Sequence, residues 1–354
     1  MAPVVVGPID DFGVLGAGTA FPEKRYTNRE VLSLLPAAAW PRRHVTRDDE
    51  LEFLAAGMEE TLGVKSRAWA HVPGTPFDHA KEESVFDLGL RAAQAALADA
   101  GIPASDVRAL VCTTSTPHRM TSTLSAAVGA ALGVHGACMD VRTGCAGGFF
   151  GLLNLGLLSQ ADEGPFLLVG AETFSKVLPP VSRTAALTLA DGAGALVVGR
   201  RKGALLRSVS VESDGTLADL VRAVGPLPPV ADAMARGDYM LSGNPEALTA
   251  KVLERYGWSI ASALERAKVT VNDVDAYVPH QPSREMVELV AKAAHIPVAK
   301  VFMNTHLHAN VGAAGWLVAL AEARESGFVK PGQTVLHAGV GGGMSWGGAV
   351  WKWS

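Results

Sequence analysis

Three residues have the types and settings to do chemistry. Cys145 sits in "DVRTGCAGGFFGLL", where an apolar strand gives way to a glycine-flanked turn and then to a helix. That geometry resembles a nucleophile elbow. A thiol at a helix start faces unsatisfied N–H groups and the positive end of the dipole, which favour thiolate and predict a lowered pKa. Gly144, Ala146, Gly147 and Gly148 leave room for a thioester carbonyl to approach. His280 ends the apolar run in "DAYVPHQPSREMVELV", just before a helix expected to start near Ser283. Pro279 and Pro282 fix the backbone there and send the side chain off a strand end, where α/β sheets carry functional groups. Asn310 lies in "HLHANVGAAGW". Taken singly, each residue has a plainer reading: an inert core thiol, a structural histidine, a helix-capping asparagine.

A repeat changes those odds. "ALADAGIPASDVRALVC" (Ala96 to Cys112) laid over "ALERAKVTVNDVDAYVP" (Ala263 to Pro279) matches Ala96, Leu97, Ala100, Asp106, Val107, Ala109 and Val111 with identical residues 167 positions on. An internal duplication is the simplest account. At nearly the same offset the turn and apolar helix from Cys145 face those from Asn310, and strands Phe166 to Glu172 and Thr334 to Gly341 follow. Pseudo-twofold symmetry would bring both helix starts to a common site, with His280 entering from a strand end between them.

The elements that must hold such a site can be read in outline. Phe86, Leu90, Ala93 and Leu97 mark one face of a helix over Ser84 to Ala100, capped by Ser84 and ended by Gly101, with a strand next at Ala109 to Thr114. The plan recurs as a helix through Ile260 and Leu264 and a strand at Ala276 to Pro279. The boundary between halves is expected near Gly199 to Gly203, giving an N-terminal half, 1–202, with the nucleophile and a C-terminal half, 203–354, with the histidine and asparagine. Right-handed crossovers predict mostly parallel sheets covered by helices and fused into one unit. Val224 to Asn244 reads as a loop excursion, either shaping a substrate entrance or simply connecting elements. Asp191 in "LADGAGALVVG" is expected in a tight strand-connecting turn, in a structural role. Cys112 and Cys138 read as core residues, and His306 and His308 as local packing groups.

Bulk properties exclude several classes. At 354 residues and 48% hydrophobic the chain can bury a large core, while a net charge of -4 and a pI near 6.2 lack the basic footprint of a nucleic-acid binder. No apolar run approaches the roughly 20 residues of a membrane span, and Met1 to Asp10 does not read as a signal segment, so a soluble, cytoplasmic protein without a membrane partner is expected. Three cysteines without CxxC spacing support neither a disulfide framework nor a metal site.

In order along the chain, "DVRTGCAGG", "LADGAGALVVG", "VPHQPSREMVE", "HANVGAAG" and "GVGGGMSWGGAV" resemble the motifs of ketoacyl-ACP synthase III and related condensing enzymes of the thiolase superfamily. The resemblance implies an α/β thiolase fold, two duplicated βαβ-rich halves stacked in five αβαβα layers. It implies that Cys145 is the nucleophile and that His280 and Asn310 donate hydrogen bonds to a thioester oxygen. Backbone N–H groups of Cys145 and Gly343 would form an oxyanion hole. It further implies acyl-CoA or acyl-carrier-protein thioesters as partners, no cofactor, and a homodimer formed through Ser115 to Gly133. Where CoA-using members hold adenine between tryptophan and arginine, Gly57 and Lys176 stand here, so Lys176 becomes a substrate-binding candidate. "ANVGAAG" stands where the family carries "GNTSAAS", and Gly144 where alanine is common. These departures point to specialised polyketide- or fatty-acid-type biosynthesis. Two other functions stay open: acyl transfer from Cys145 to a hydroxyl or amine with His280 as base, and a catalytically quiet acyl-binding subunit.

Overall fold

The computed structural model describes residues 3–36, 39, 47–243 and 245–354. The strands that build the central sheet are β1 (Val4–Val6), β2 (Ile9–Ala20), β3 (Ala109–Thr113), β4 (Ala137–Val141), β5 (Phe166–Thr173), β6 (Asp191–Ser213), β7 (Ala276–Tyr277), β8 (Thr334–Gly341) and β9 (Ser345–Lys352). Six helices matter for the site: α1 (Val85–Ala100), α2 (Leu124–Leu132), α3 (Gly147–Leu158), α4 (Pro245–Ala267), α5 (Arg284–Ala293) and α6 (Gly315–Glu325).

β6 runs 23 residues and belongs to both halves. Its first stretch pairs with β5 and β2, from Asp191↔Thr173 to Arg200↔Phe12; its second pairs with β9 and β1, from Leu205↔Lys352 to Ser213↔Ser345. One half therefore reads β4-β3-β5-β6-β2. The other reads β7-β8-β9-β6-β1, with Val301 bridging Tyr277 outside β7 as β4 flanks β3. The expected boundary at 199–203 falls inside β6, where Gly203 takes φ +81° and the pairing with β2 slips between Asp10 and Phe12.

The sheet is mixed rather than mostly parallel. β3 pairs parallel with β4 and β5, and β7 with β8, but β6 and β9 run antiparallel to all their partners. The reason lies in the connections: β8 turns into β9 through Gly342 to Met344 alone, and a strand that returns through so short a turn must be antiparallel.

Helices α3 and α6 lie between the two half-sheets and share one core with both, through Phe149, Leu152, Trp316 and Leu320. α1 and α2 cover the outer face of one half; α4 and α5 cover the other. The result is the five-layered stack that the family resemblance implies. The repeat holds in three dimensions at the predicted offset. Gly101 and Lys268 both take left-handed conformations, at φ 65° and 54°, and close their helices on Ala98 and Glu265. Short 3₁₀ turns follow at Ala104–Asp106 and Val271–Asp273, then β3 at Ala109 and β7 at Ala276. Ser84 caps α1 in a reciprocal box with Asp87, as its position predicts.

Candidate active site

Cys145 stands one residue ahead of Ala146, the N-cap of α3. The end of β8 passes directly beneath it: a Cβ on Gly341 would lie 2.7 Å from Ala146 N and closer still to Cys145 N. Gly144, at φ 57°, is pressed on the following loop, since a Cβ there would come within 2.7 Å of Gly342 N and O. That loop continues to Gly343, at φ 121°. Two N–H-bearing turns thus face each other around the thiol.

His280 extends the β7 ladder by donating its N–H to Ala338 O at 2.9 Å, and its side chain is buried. Its Cβ lies 3.0 Å from where a Cβ on Gly339 would be. Gly339 and Gly341 are two residues apart on the same face of β8, a spacing of about 7 Å. His280 and Cys145 are therefore neighbours across one strand face. The imidazole Nδ1 points at Gly315, the first residue of α6, 2.7 Å from the Cβ position there, and has no hydrogen-bond partner.

Asn310 is clamped by its main chain, donating to Thr188 O (2.9 Å) and accepting from Ala190 N (3.0 Å). Its Oδ1 accepts from Gly312 N at 2.9 Å. It does not cap α6, whose N-cap is Ala314 without a side-chain bond. The α6 start joins it to His280, with only Val311 to Ala314 between Asn310 and Gly315.

The thiol departs from expectation. Its pKa is pushed up to about 12, by burial first and by the Glu172 carboxylate second, against a smaller pull from its own N–H. Cys145 rests as a thiol because desolvation and a neighbouring negative charge outweigh the helix start. Burial also drives His280 down to about 4, so its imidazole is neutral at physiological pH.

Glu172 is the site residue that sequence reasoning missed. Its Oε1 accepts from Ser115 N (2.9 Å) and Ala313 N (3.2 Å), and its Oε2 from Thr116 N (3.1 Å) and the Thr116 hydroxyl (2.8 Å). Burial raises it to about 7, with these donors pulling the other way. An acidic residue closing the otherwise apolar "FLLVGAET" was the available signal.

The remaining candidates lie elsewhere. Lys176 donates to Glu83 O at 2.6 Å and sits 4.6 Å from the Phe77 ring centroid; partial burial lowers its pKa. Gly57 is in the helix Arg47–Leu62 with open space around its Cβ position. Asp191 opens β6 instead of occupying a turn. It accepts from Ala70 N and Ser175 N, both at 2.8 Å, and from the Ser175 hydroxyl, and burial raises it to about 6. His308 pairs with Glu322 at 2.6 Å and stacks on Phe21. The excursion from Val224 contains a helix, Ala231–Arg236, and is tied down by Leu241 N–H donating to Val177 O at 2.7 Å. Its last residue, Asn244, lies outside the described residues. No helix among the described residues is long and apolar enough to cross a membrane.

A duplicated five-layer α/β stack with a cysteine at one central helix start and an asparagine ahead of the other is a thiolase-fold protein. Two family models match, "3-Oxoacyl-[acyl-carrier-protein (ACP)] synthase III" over residues 139–215 and its C-terminal counterpart over 264–353. The beta-ketoacyl-[acyl-carrier-protein] synthase III of Paracoccus denitrificans is 33% identical over 314 residues, 86% of this chain and 93% of the relative. That of Ruegeria pomeroyi is 31% identical over 348 residues, 96% and 98%. Among solved structures, the 3-oxoacyl-(acyl carrier protein) synthase III of Pseudomonas aeruginosa superposes with a TM-score of 0.81 at 28% identity, covering 97% of this chain and 98% of that one. The chain belongs to the beta-ketoacyl-[acyl-carrier-protein] synthase III family.

Proposed function

We propose that this protein catalyses decarboxylative condensation of an acyl group carried on Cys145 with a malonyl-type thioester. The Cys145 sulfur attacks an acyl-CoA or acyl-carrier thioester, losing its proton as the C–S bond forms, and the donor thiol leaves. Cys145 and Gly343 N–H groups stabilise the oxyanion. A malonyl thioester then loses CO2, and His280 and Asn310 donate to the enolate oxygen. The enolate carbon attacks the acyl-enzyme, the Cys145–carbonyl bond breaks, and the departing thiolate takes a proton from solvent, leaving the thiol beside a β-ketoacyl thioester.

The observation that carries this reading is the placement of His280 beside Cys145 on one face of β8 with its imidazole held neutral. A neutral imidazole with its proton on Nε2 is a hydrogen-bond donor, and an unpaired Nδ1 acceptor against Gly315 is a cheaper orphan than an unpaired N–H would be. An imidazole near 4 is a poor base for an incoming hydroxyl or amine, which speaks against acyl transfer to such acceptors. The reading includes a soluble cytoplasmic homodimer working in polyketide- or fatty-acid-type chain building, with Lys176 contributing to thioester binding.

The test is intact-protein mass spectrometry with a panel of acyl-CoA and acyl-carrier thioesters on wild type and Cys145→Ala, followed by malonyl thioester and CO2 measurement. An adduct absent from Cys145→Ala and discharged with CO2 release is expected. Discharge only by an alcohol or amine would replace condensation with acyl transfer, and no adduct from any donor would overturn both.

A further inference from the structure

The parallel ladder between β7 and β8 reaches His280 in regular steps: Val278 N–H to Leu336 O, then His280 N–H to Ala338 O, each 2.9 Å. The next rung would join Val340 N–H to the His280 carbonyl. A side chain stands in that place. The Tyr256 hydroxyl, projecting from α4, donates to His280 O at 2.9 Å, with the Val340 N–H close by. Burial, with Tyr277 and Cys145 adding, raises this phenol well above its usual range, so its proton stays on the oxygen and faces the His280 carbonyl.

A hydroxyl inserted between an N–H and a C=O holds them about 2 Å further apart than a direct hydrogen bond would. The wedge acts where His280 leaves the sheet. On its other side, Val340 is followed by Gly341, the residue pressed against Cys145 N. One oxygen therefore sets the spacing between the histidine backbone and the strand that supports the nucleophile.

We propose that Tyr256 is a positioning residue for the condensation stage: its hydroxyl, donating to the His280 carbonyl where the next rung to Val340 would form, holds the imidazole at its working distance from Cys145. This rests on the reading of His280 given above. In Tyr256→Phe the stranded carbonyl and N–H become each other's nearest partners and close into a rung, drawing His280 toward β8. A displacement of that order costs about 10- to 100-fold in a step that depends on the imidazole. β8 is held along its other edge by β9 through Val340↔Trp346 and Gly341↔Ser345, so His280 is the side that moves, and acylation of Cys145, which does not use the imidazole, is unchanged.

The experiment compares full-length wild type, Tyr256→Phe, His280→Ala and the double variant. Acylation is timed by intact mass, and CO2 release from malonyl-CoA and malonyl-carrier protein is followed separately, with melting temperatures alongside. The expected result is CO2 release reduced about 10- to 100-fold in Tyr256→Phe at wild-type acylation rate, and no further loss when the change is added to His280→Ala. Equal losses in both backgrounds, equal losses in both steps, or no loss would each overturn the proposal. Tyr256→Met, which refills the space with a flexible apolar chain, gives the same comparison if Phe disturbs folding. If His280→Ala itself leaves CO2 release intact, the reading of His280 fails, and no adduct in wild type fails the condensing reading as a whole; either takes the wedge with it, whereas Tyr256→Phe alone tests the wedge.

Discussion

Gly341→Ala tests whether the contact between β8 and the nucleophile turn matters for chemistry. A Cβ there would lie 2.7 Å from Ala146 N and nearer to Cys145 N, with Gly144 C at 2.9 Å. Ordinary carbon contacts begin near 3.5 Å, so the turn must retreat by about 0.8 Å or more. All three neighbours are backbone atoms, which cannot swing aside as a side chain would. Overpacking of this kind costs about 1 to 3 kcal/mol, within the 5 to 15 kcal/mol of a typical fold, so the variant should be folded. The Cys145 N–H would be displaced from where the oxyanion forms, and a misplacement near 1 Å costs about 10²-fold in rate. Gly342→Ala is the control, because the three atoms nearest its Cβ would all belong to Val221, at 3.3 Å or beyond. The assay is the time course of acyl adduct formation by intact mass, with thermal melts. The expected outcome is acylation slowed about 100-fold in Gly341→Ala and within a few-fold of wild type in Gly342→Ala. Folded Gly341→Ala acylated at the wild-type rate would refute the reasoning.

Other outcomes follow from the buried titrating groups. With the thiol near 12, alkylation of Cys145 by iodoacetamide should rise about tenfold per pH unit from pH 6 to 9 without a plateau; a plateau below pH 8 would show a thiolate already formed. Slow labelling at neutral pH is thus expected of the active protein and does not mark a quiet subunit. With His280 near 4 and Glu172 near 7, any inflection in CO2 release by pre-acylated enzyme between about pH 5.5 and 8.5 should vanish in Glu172→Gln, and one near the ordinary histidine value of about 6.5 that survives there would contradict a neutral buried imidazole. His337, held near 4 by burial, has a folded pKa below its unfolded value, so the stability it contributes is present above about 6.5 and is lost as pH falls toward 4. Denaturant unfolding of wild type against His337→Asn should show their stability difference shrinking by about 1.4 kcal/mol per pH unit across that window.

What the sequence showed and what it hid divide along physical lines. The duplication was legible to the residue because helix ends, 3₁₀ turns and strand starts are local events: Gly101 and Lys268 close their helices in the same way, 167 positions apart. Strand direction was not legible, because it depends on how far the chain travels before returning, and β6 serves two half-sheets as one strand. The thiol's acidity could not be read from the α3 start either. It depends first on burial and then on Glu172, which is distant in sequence and arrives from β5. Tyr256 gave no signal at all, since with Ile260 and Ala263 it reads as the core face of a helix, and its ring does pack there. Only its oxygen leaves the pattern.

Under the proposed mechanism, the duplication also explains how the two helix starts come to differ. Phe166 pairs with Ala109 and Val335 with Ala276, so six residues further on Glu172 and Gly341 occupy equivalent places in β5 and β8. Each lies under the opposite half's helix start. At Gly341 there is no side chain, and the Cys145 turn settles directly on the strand, close enough that even a methyl would displace it. At Glu172 a carboxylate fills the interval, accepting from Ala313 N and packing its Cγ 3.0 Å from the Cβ position of Gly312. The turn carrying Asn310 is therefore held off the strand by a carboxyl spacer, while the turn carrying Cys145 is held down on it. A nucleophile gains from rigid N–H groups at fixed distance, whereas an amide donor needs only its Nδ2 aimed. Burial first and the same carboxyl group second raise the nearby thiol, so the asymmetry of one residue pair sets the geometry of the site and adds to what keeps the thiol protonated.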